Sequence, residues 1–293
     1  MKVCKLSSDI QEKIDLYYNS LSKGHKKIAD FIRSDYEKAS FMTASELGQA
    51  VGTSESTVVR FAAHIGFAGY PELQKNLQET VKSRLTSVQR MEAANRIYGG
   101  DFVEAALNTD IEMIKKTLDG LDRSAFSGAV EAINNAKKIY ILGVRSAASI
   151  ASFAAFYLGF IYDAVFIDTS ASNEIFEKML RIDKDDVCIA ISFPRYSNRT
   201  LKALKFARSR GAEIISVTDS EISPIAAYAD YLLLAQSSML SFVDSLVAPL
   251  SLLTALIAAS AGERKEEIHA KLEELEKIWE EYRVYRVHGE DQP

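Results

Sequence analysis

Hydrophobic residues recur along this chain in two different rhythms. From residue 10 to about residue 89 the apolar positions follow helical spacing, with short breaks at Ser22-Lys23, at Gly52 and across 66–69. From Lys137 onward short apolar runs alternate with helical stretches. The runs are KIYILG (138–143), AVFIDT (164–169), DVCIAIS (186–192), EIISVT (213–218) and YLLLAQ (231–236). Between them the spacing predicts helices near 146–160, 172–181, 198–210 and 223–228. Strands alternating with helices imply βαβ crossovers and a five-stranded parallel sheet covered on both faces. Segment 101–136 reads as helical and is expected to pack on that sheet, after a linker around Tyr98-Gly99-Gly100. The predicted fold is therefore an α-helical domain (1–85), a helical linker (86–120), a doubly wound α/β domain (121–262), and a charged C-terminal helix and tail (263–293). In that last helix Ile268, Leu272, Leu275, Trp279 and Tyr282 form a narrow stripe. It suits either a seam for a partner helix or docking on its own domain.

Composition narrows the function classes. With 47% hydrophobic and 26% charged residues among 293, the chain has the balance of an ordinary soluble protein. The most apolar stretch, 243–261, is interrupted by Ser245, Pro249, Ser251, Thr254 and Ser260, so a buried helix is expected there and not a membrane span. The opening MKVCKLSSDIQEK turns polar at once, unlike a signal peptide. Cys4 and Cys188 are far apart and have no ligand-spaced partners, which argues against a disulfide scaffold or a cysteine metal site and for the cytoplasm. No cofactor and no metal ion are expected. The net charge of −5 is uneven: residues 1–90 carry 13 Lys/Arg against 10 Asp/Glu, and the remainder 22 against 30. A mildly basic head on an acidic body suits a partner rich in phosphate.

The head also contains TASELGQAVGTSESTVVRFAAHIGF (43–67). Thr43 and Glu46 have the spacing of a capping box, opening a short helix that ends near Val51. Gly52 supplies a left-handed turn, and Thr53 or Ser54 caps a second helix over 54–64. Val58, Phe61, Ala62 and Ile65 make its buried stripe; Ser56, Thr57, Arg60 and His64 lie opposite. Small hydroxyls plus a guanidinium can reach base edges and phosphates in a major groove. Two short helices around a tight glycine turn have the helix-turn-helix layout, although periodicity alone also allows a plain helical hairpin.

Residues 22–77 resemble the N-terminal domain of the RpiR family of regulators of sugar catabolism. The match is carried by KKIADFI (26–32), by FMTASELGQAVGTSESTVVRFAAHIGF (41–67), by Gly69-Tyr70 and by Glu72-Leu73. The resemblance implies a winged-type helical domain, dimeric, that reads palindromic operator DNA with helix 54–64. Thr53, Ser54, Ser56, Thr57, Arg60 and His64 are the candidate DNA contacts, and Lys26 and Lys27 suit either phosphates or solvent.

In the α/β part, KIYILG runs into Gly143-Val144-Arg145-Ser146, and DVCIAIS into Phe193-Pro194-Arg195-Tyr196-Ser197; a helix follows each. In a parallel sheet, ligands bind where strand C-termini meet helix N-termini, whose unpaired N–H groups and dipole suit a phosphate. Serine hydroxyls add donors, and Arg145 and Arg195 add charge unless they pair with acidic neighbours such as Asp168 or Asp219. Residues 121–261 resemble the SIS (sugar isomerase) domain, which binds phosphosugars and follows the helix-turn-helix in RpiR regulators. Gly143 and Ser146 lie in its glycine-rich first loop. Of its usual Ser-x-Ser-Gly-x-Thr second loop, Ser192, Ser197 and Thr200 remain. Arg145 stands where a second glycine is common, Arg195 where the loop glycine is, and Ala147 where many members have serine. The candidate ligand residues are Gly143, Arg145, Ser146, Ser192, Arg195, Ser197 and Thr200, with loops 168–170 and 218–220 within reach of sugar hydroxyls.

The alternative is a phosphosugar isomerase with an accessory helical domain. Such an enzyme needs a base and a ring-opening acid near the loops. The four histidines, His25, His64, His269 and His288, fall outside the five-strand region, and Tyr196 stands where many enzymatic SIS domains carry glutamate after the loop glycine. The expectation is a non-enzymatic regulator, a homodimer or homotetramer, that couples a phosphorylated sugar to operator affinity.

Overall fold

The computed structural model describes residues 10–84, 86–98, 102–170, 174–239 and 242–285. Cys4, Gly99-Gly100 of the expected linker, the start of the helix expected at 172 and His288 lie outside the described residues. The chain forms two compact units, residues 1–92 and 93–293.

The first unit is helical: α1 (Ile10–Tyr17), a 3₁₀ turn (Tyr18–Ser20), α2 (Lys23–Ser34), α3 (Tyr36–Phe41), α4 (Ala44–Val51), α5 (Glu55–His64) and α6 (Tyr70–Arg84), then α7 (Ser87–Tyr98), in which the unit boundary falls. Short polar residues start these helices as capping chemistry requires: the Ser22 hydroxyl accepts from the His25 N–H, and the Asp35 carboxylate from the Lys38 N–H. Ile14, Ile28, Ile32, Leu47, Phe61, Ile65, Leu73 and Leu77 close the core and are fully enclosed. The tyrosine of Gly69-Tyr70 has a packing role. Its hydroxyl donates to the Met42 carbonyl at 2.6 Å, joined there by the Gln74 amide at 2.8 Å, so α6 holds the backbone entering α4. Burial pushes the Tyr70 hydroxyl up to about 12. Among the described residues of this unit no strand occurs, so the winged form implied by the resemblance is not seen there. After α5 the chain turns through Gly66 (φ 87°) directly toward α6.

The second unit opens with α8 (Phe102–Asp119) and α9 (Arg123–Asn135). There follow β1 (Ile139–Leu142), α10 (Ala147–Ile161), β2 (Val165–Asp168), α11 (Ile175–Lys178), β3 (Val187–Ile191), α12 (Asn198–Ser209), β4 (Glu213–Thr218), a 3₁₀ turn (Ala226–Tyr228) and β5 (Tyr231–Leu234). A pair of two-residue antiparallel strands, β6 (Ser238–Met239) with β7 (Asp244–Ser245), then leads into α13 (Val247–Glu263) and α14 (Lys265–Glu281). The five-stranded sheet is parallel in the order β2-β1-β3-β4-β5. All residues of β1 and β3 are buried, as expected of strands covered on both faces. One face carries Ile139, Ile141, Ile189 and Val217 against α9, α10 and α13; the other carries Tyr140, Leu142, Cys188 and Ile214 against α11 and α12. Burial pushes the Cys188 thiol up to about 12, which leaves it unreactive.

The structure bears on three of these expectations. α8 lies in the stretch read as a linker and in the segment 101–136 expected to pack on the sheet domain, and it is tied into the second unit. Its Thr117 hydroxyl accepts from the Gln236 N–H at 2.9 Å, and its Asp110 from the Ser245 hydroxyl. The helix expected over 223–228 shrinks to one 3₁₀ turn, and the β6–β7 hairpin is too short for periodicity to reveal. The C-terminal stripe docks on its own domain in part: Ile268 is buried, the Lys271 ammonium donates to the Ile161 carbonyl at 3.3 Å, and Trp279 meets Phe160 edge-on at 6.3 Å, while Leu272 and Tyr282 are exposed. Among the described residues no helix is long and apolar enough to cross a membrane.

Candidate functional site

In the helical unit, both halves of the Thr43–Glu46 capping box are present, at 2.7 and 3.2 Å. The Thr43 N–H and hydroxyl, which donate to the Glu46 carboxylate at 2.7 and 3.0 Å, hold that carboxyl below its ordinary range. Gly52 takes the left-handed turn at φ 68°. Gly48 allows the two helices to meet, since a Cβ there would lie 3.1 Å from the Thr53 carbonyl oxygen. Ser54, not Thr53, caps α5, accepting from the Thr57 N–H at 3.3 Å. Val58, Phe61 and Ala62 are enclosed; Ser54, Glu55, Ser56, Val59, Arg60 and His64 are exposed. The Arg60 Nε donates to the Ser56 carbonyl at 3.2 Å, which lays the guanidinium along the presented face.

Two predicted contacts are turned toward the helix packing. The Thr53 hydroxyl is enclosed without a hydrogen bond. The methyls of Thr53 and Thr57 lie against α2, where a Cβ on Gly24 would meet them at 3.7 and 3.4 Å. His64 is exposed, but its Nε2 lies 3.2 Å from the Ser20 hydroxyl and its ring stands edge-on to Tyr17 and to His25, the latter 5.6 Å away. Sequence reasoning assigned His25 no role. It sits on α2, edge-on to Phe61 at 5.8 Å, with Nδ1 enclosed and without a hydrogen bond. Burial, then the neighbouring His64 and Arg60, lower its pKa.

In the α/β unit the rim of strand C-termini runs Asp168, Gly143, Ser192, Thr218. Asp168 pairs beside β1 through the Gly143 N–H at 3.2 Å, and the Ser192 N–H donates to the Val217 carbonyl at 3.2 Å. Helix α10 leaves β1 on one face and α12 leaves β3 on the other, so a crevice opens between β1 and β3 where the strand order reverses. Gly143 serves packing: a Cβ would lie 2.7 Å from Ala151 Cβ and 2.9 Å from the Ala147 carbonyl oxygen. Ser146 is exposed at the start of α10, and its hydroxyl makes no capping bond. Ser192 and Thr200 are buried. Ser197 caps α12, accepting from the Arg199 and Thr200 N–H groups at 3.2 and 3.4 Å, which leaves its own O–H as a donor.

The arginines near the rim differ in exposure. Arg145 and Arg195 are exposed, with left-handed backbones at φ 59° and 69°. Asp168 pairs with neither: its partners are the Lys178 ammonium at 3.1 Å and the Ser170 hydroxyl at 2.8 Å, with the Arg199 guanidinium 3.9 Å away. Asp219 accepts from the Tyr196 hydroxyl at 2.9 Å. Arg199 is the residue that sequence reasoning missed. It lies four positions before Ala203, at the margin of α12's buried stripe, a spacing that tells an inward arginine only faintly from a surface one.

Similarity to known proteins follows the same division. Residues 8–84 match the helix-turn-helix domain of the rpiR family, and residues 132–259 match the SIS domain. A protein of Haemophilus influenzae named as an HTH-type transcriptional regulator is 29% identical over 234 residues, spanning 78% of this chain and 80% of its own. Among solved structures, the sugar isomerase domain of an RpiR transcription factor from Sphaerobacter thermophilus is 28% identical, with a TM-score of 0.56, over 58% of this chain and 96% of that one. Vibrio vulnificus NanR complexed with ManNAc-6P is 20% identical, with a TM-score of 0.58 over 92% of this chain and 98% of its own, and shares the fold. An rpiR-family helix-turn-helix domain is thus joined here to a SIS domain, the two matches between them span most of the sequence, and this is the make-up of an RpiR-type helix-turn-helix transcriptional regulator.

Proposed function

We propose that this regulator binds operator DNA through α5 and that a phosphorylated sugar, held at the β1–β3 crevice, controls that binding. The observation that carries the reading is the convergence of two helix N-termini on one crevice, with Ser146, Ser192, Ser197 and Thr200 around it. Unpaired N–H groups, helix dipoles and hydroxyl donors together suit a phosphoryl group. The ManNAc-6P bound by NanR makes an N-acylated hexose phosphate a reasonable member of the effector class to try. The operator is palindromic and the regulator dimeric, so that two α5 helices meet successive half-sites. Exposed Val103, Leu107, Ile111, Ile114 and Leu118 along α8 support self-association. The protein works in the cytoplasm and is a sensor, not an isomerase: among the described residues no histidine lies on the crevice rim, His25 and His64 being in the helical unit and His269 exposed on α14.

Binding of effector and operator is linked, so each alters the affinity of the other by the same factor. A thermal-shift screen with sugar phosphates, ManNAc-6P among them, should raise the melting midpoint of the full-length protein. Arg60→Ala should weaken operator binding about tenfold or more while leaving that thermal shift intact. Unchanged operator affinity in Arg60→Ala removes α5 as the reading helix, and turnover of a sugar phosphate by the wild type overturns the sensor reading.

A further inference from the structure

The α12 face of the crevice holds two charged groups whose hydrogen-bonding capacity is partly unused. The Asp168 side chain is 3% exposed and points to the same sheet face as Tyr140 and Leu142. Its Oδ1 takes the Ser170 hydroxyl and the Lys178 ammonium, while Oδ2 is enclosed and has no hydrogen bond. The Arg199 side chain is 18% exposed; its Nε and Nη2 are likewise enclosed and make none. Nε and Oδ2 face each other at 3.9 Å, beyond hydrogen-bond length. Buried polar atoms are seldom left this way, and two of opposite sign confronting one another across such a gap point to a third group between them.

Building on the phosphosugar reading, we infer that this gap receives a hydroxyl of the effector, which accepts from Arg199 Nε–H and donates to Asp168 Oδ2. Placed at ordinary hydrogen-bond lengths from both, the oxygen subtends an angle of about 90°, which a hydroxyl tolerates. Only a group that both donates and accepts fits. A carboxylate or phosphoryl oxygen would confront the charge of Asp168, and an ammonium would confront that of Arg199. The effector is therefore anionic at the serine-rich loops and hydroxylated at the end of β2. A cavity of about 430 Å³ on the Asp168 side of the pair, lined in part by Tyr140, Leu142, Asp168, Lys178 and Met179, is of a size that takes a small ligand. Because both atoms are enclosed, the partly exposed Arg199 side chain shifts as the hydroxyl arrives. Occupancy is thereby coupled to the first turn of α12.

The test is calorimetric titration of full-length wild type, Asp168→Asn, Arg199→Gln and the double variant with inorganic phosphate and with a set of hexose 6-phosphates and pentose 5-phosphates. The wild type should bind at least one sugar phosphate. Each single variant should bind that compound about tenfold to a hundredfold more weakly, the range of one hydrogen bond to a charged group. Inorganic phosphate should bind all four proteins alike. The double variant should lose no more than the weaker single one, because both partners hold the same hydroxyl. Sugar-phosphate affinity unchanged in both variants would reduce the pair to a structural contact, and equal losses for phosphate and sugar phosphate would likewise overturn the hydroxyl role. Failure of the wild type to bind any sugar phosphate would overturn the underlying reading instead. If Asp168→Asn does not fold, Arg199→Gln carries the same comparison.

Discussion

Arg145 and Arg195 occupy backbone conformations that glycine adopts without penalty and other L-residues reach at a cost of roughly 1 kcal/mol. Both stand where the SIS-like loops commonly carry glycine. Arginine in a left-handed backbone keeps a shape open to glycine, and its charge is held at an exposed position. Arg145→Gly should stay within about 1 kcal/mol of the parent in urea unfolding, because relief of φ is offset by the freer unfolded chain. Arg145→Val should lose more than about 1 kcal/mol, since a β-branched residue resists positive φ. Equal effects of the two would mean that φ does not govern this position. Such backbone facts are hidden in the sequence, where an arginine beside a phosphate-type loop reads as an anion ligand. The same ambiguity concealed Arg199, whose burial depends on how closely the ends of β2 and β3 approach across β1. That distance is set by the sheet and not by any local pattern.

At the level of elements, periodicity located most of the pieces because each buries a face whose rhythm is written in the chain. Val58, Phe61, Ala62 and Ile65 mark α5, and the all-apolar runs of β1 and β3 mark a sheet covered on both sides. What periodicity does not encode is which helix meets which polar flank, and the contact of α2 with α5 through His25 and His64 is such a case. Its consequence is a pH dependence whose sign follows from burial. His25 has its pKa held below the ordinary value near 6.5, chiefly by desolvation and further by His64 and Arg60. The unfolded chain therefore binds this proton more readily than the folded one. The stabilising effect is fully present above about pH 7.5 and drains away as pH falls through 6.5 toward the lower folded value. Calorimetry of the full-length protein should show the helical unit melting lower at pH 5.5 than at pH 7.5. His25→Gln should shrink that difference, and an undiminished difference in the variant would assign the effect to other groups.

Over the whole molecule, a mildly basic helical unit precedes an acidic α/β unit, and among the described residues the second displays a long apolar stripe on α8. On α8, Val103, Leu107, Ile111, Ile114 and Leu118 recur at helical spacing and are exposed, while Thr117 and Asp110 bind this helix to its own domain from another side. A stripe of that length, left to water on a helix otherwise well anchored, has the character of a surface that meets a second copy. Dimerisation through the α/β unit would give the operator two linked α5 helices, and linkage raises affinity by turning the second half-site into an intramolecular encounter. Leu107→Glu combined with Ile111→Glu should convert the proposed dimer to a monomer in sedimentation velocity and lower operator affinity at least tenfold. The sugar-phosphate thermal shift should persist, because the crevice is built from β1, β2, β3, α10 and α12 and draws nothing from α8. A variant that remains dimeric would move the interface elsewhere. The exposed aromatic rings Phe156 and Tyr157 on α10 are then the next surface to test by the same measurement.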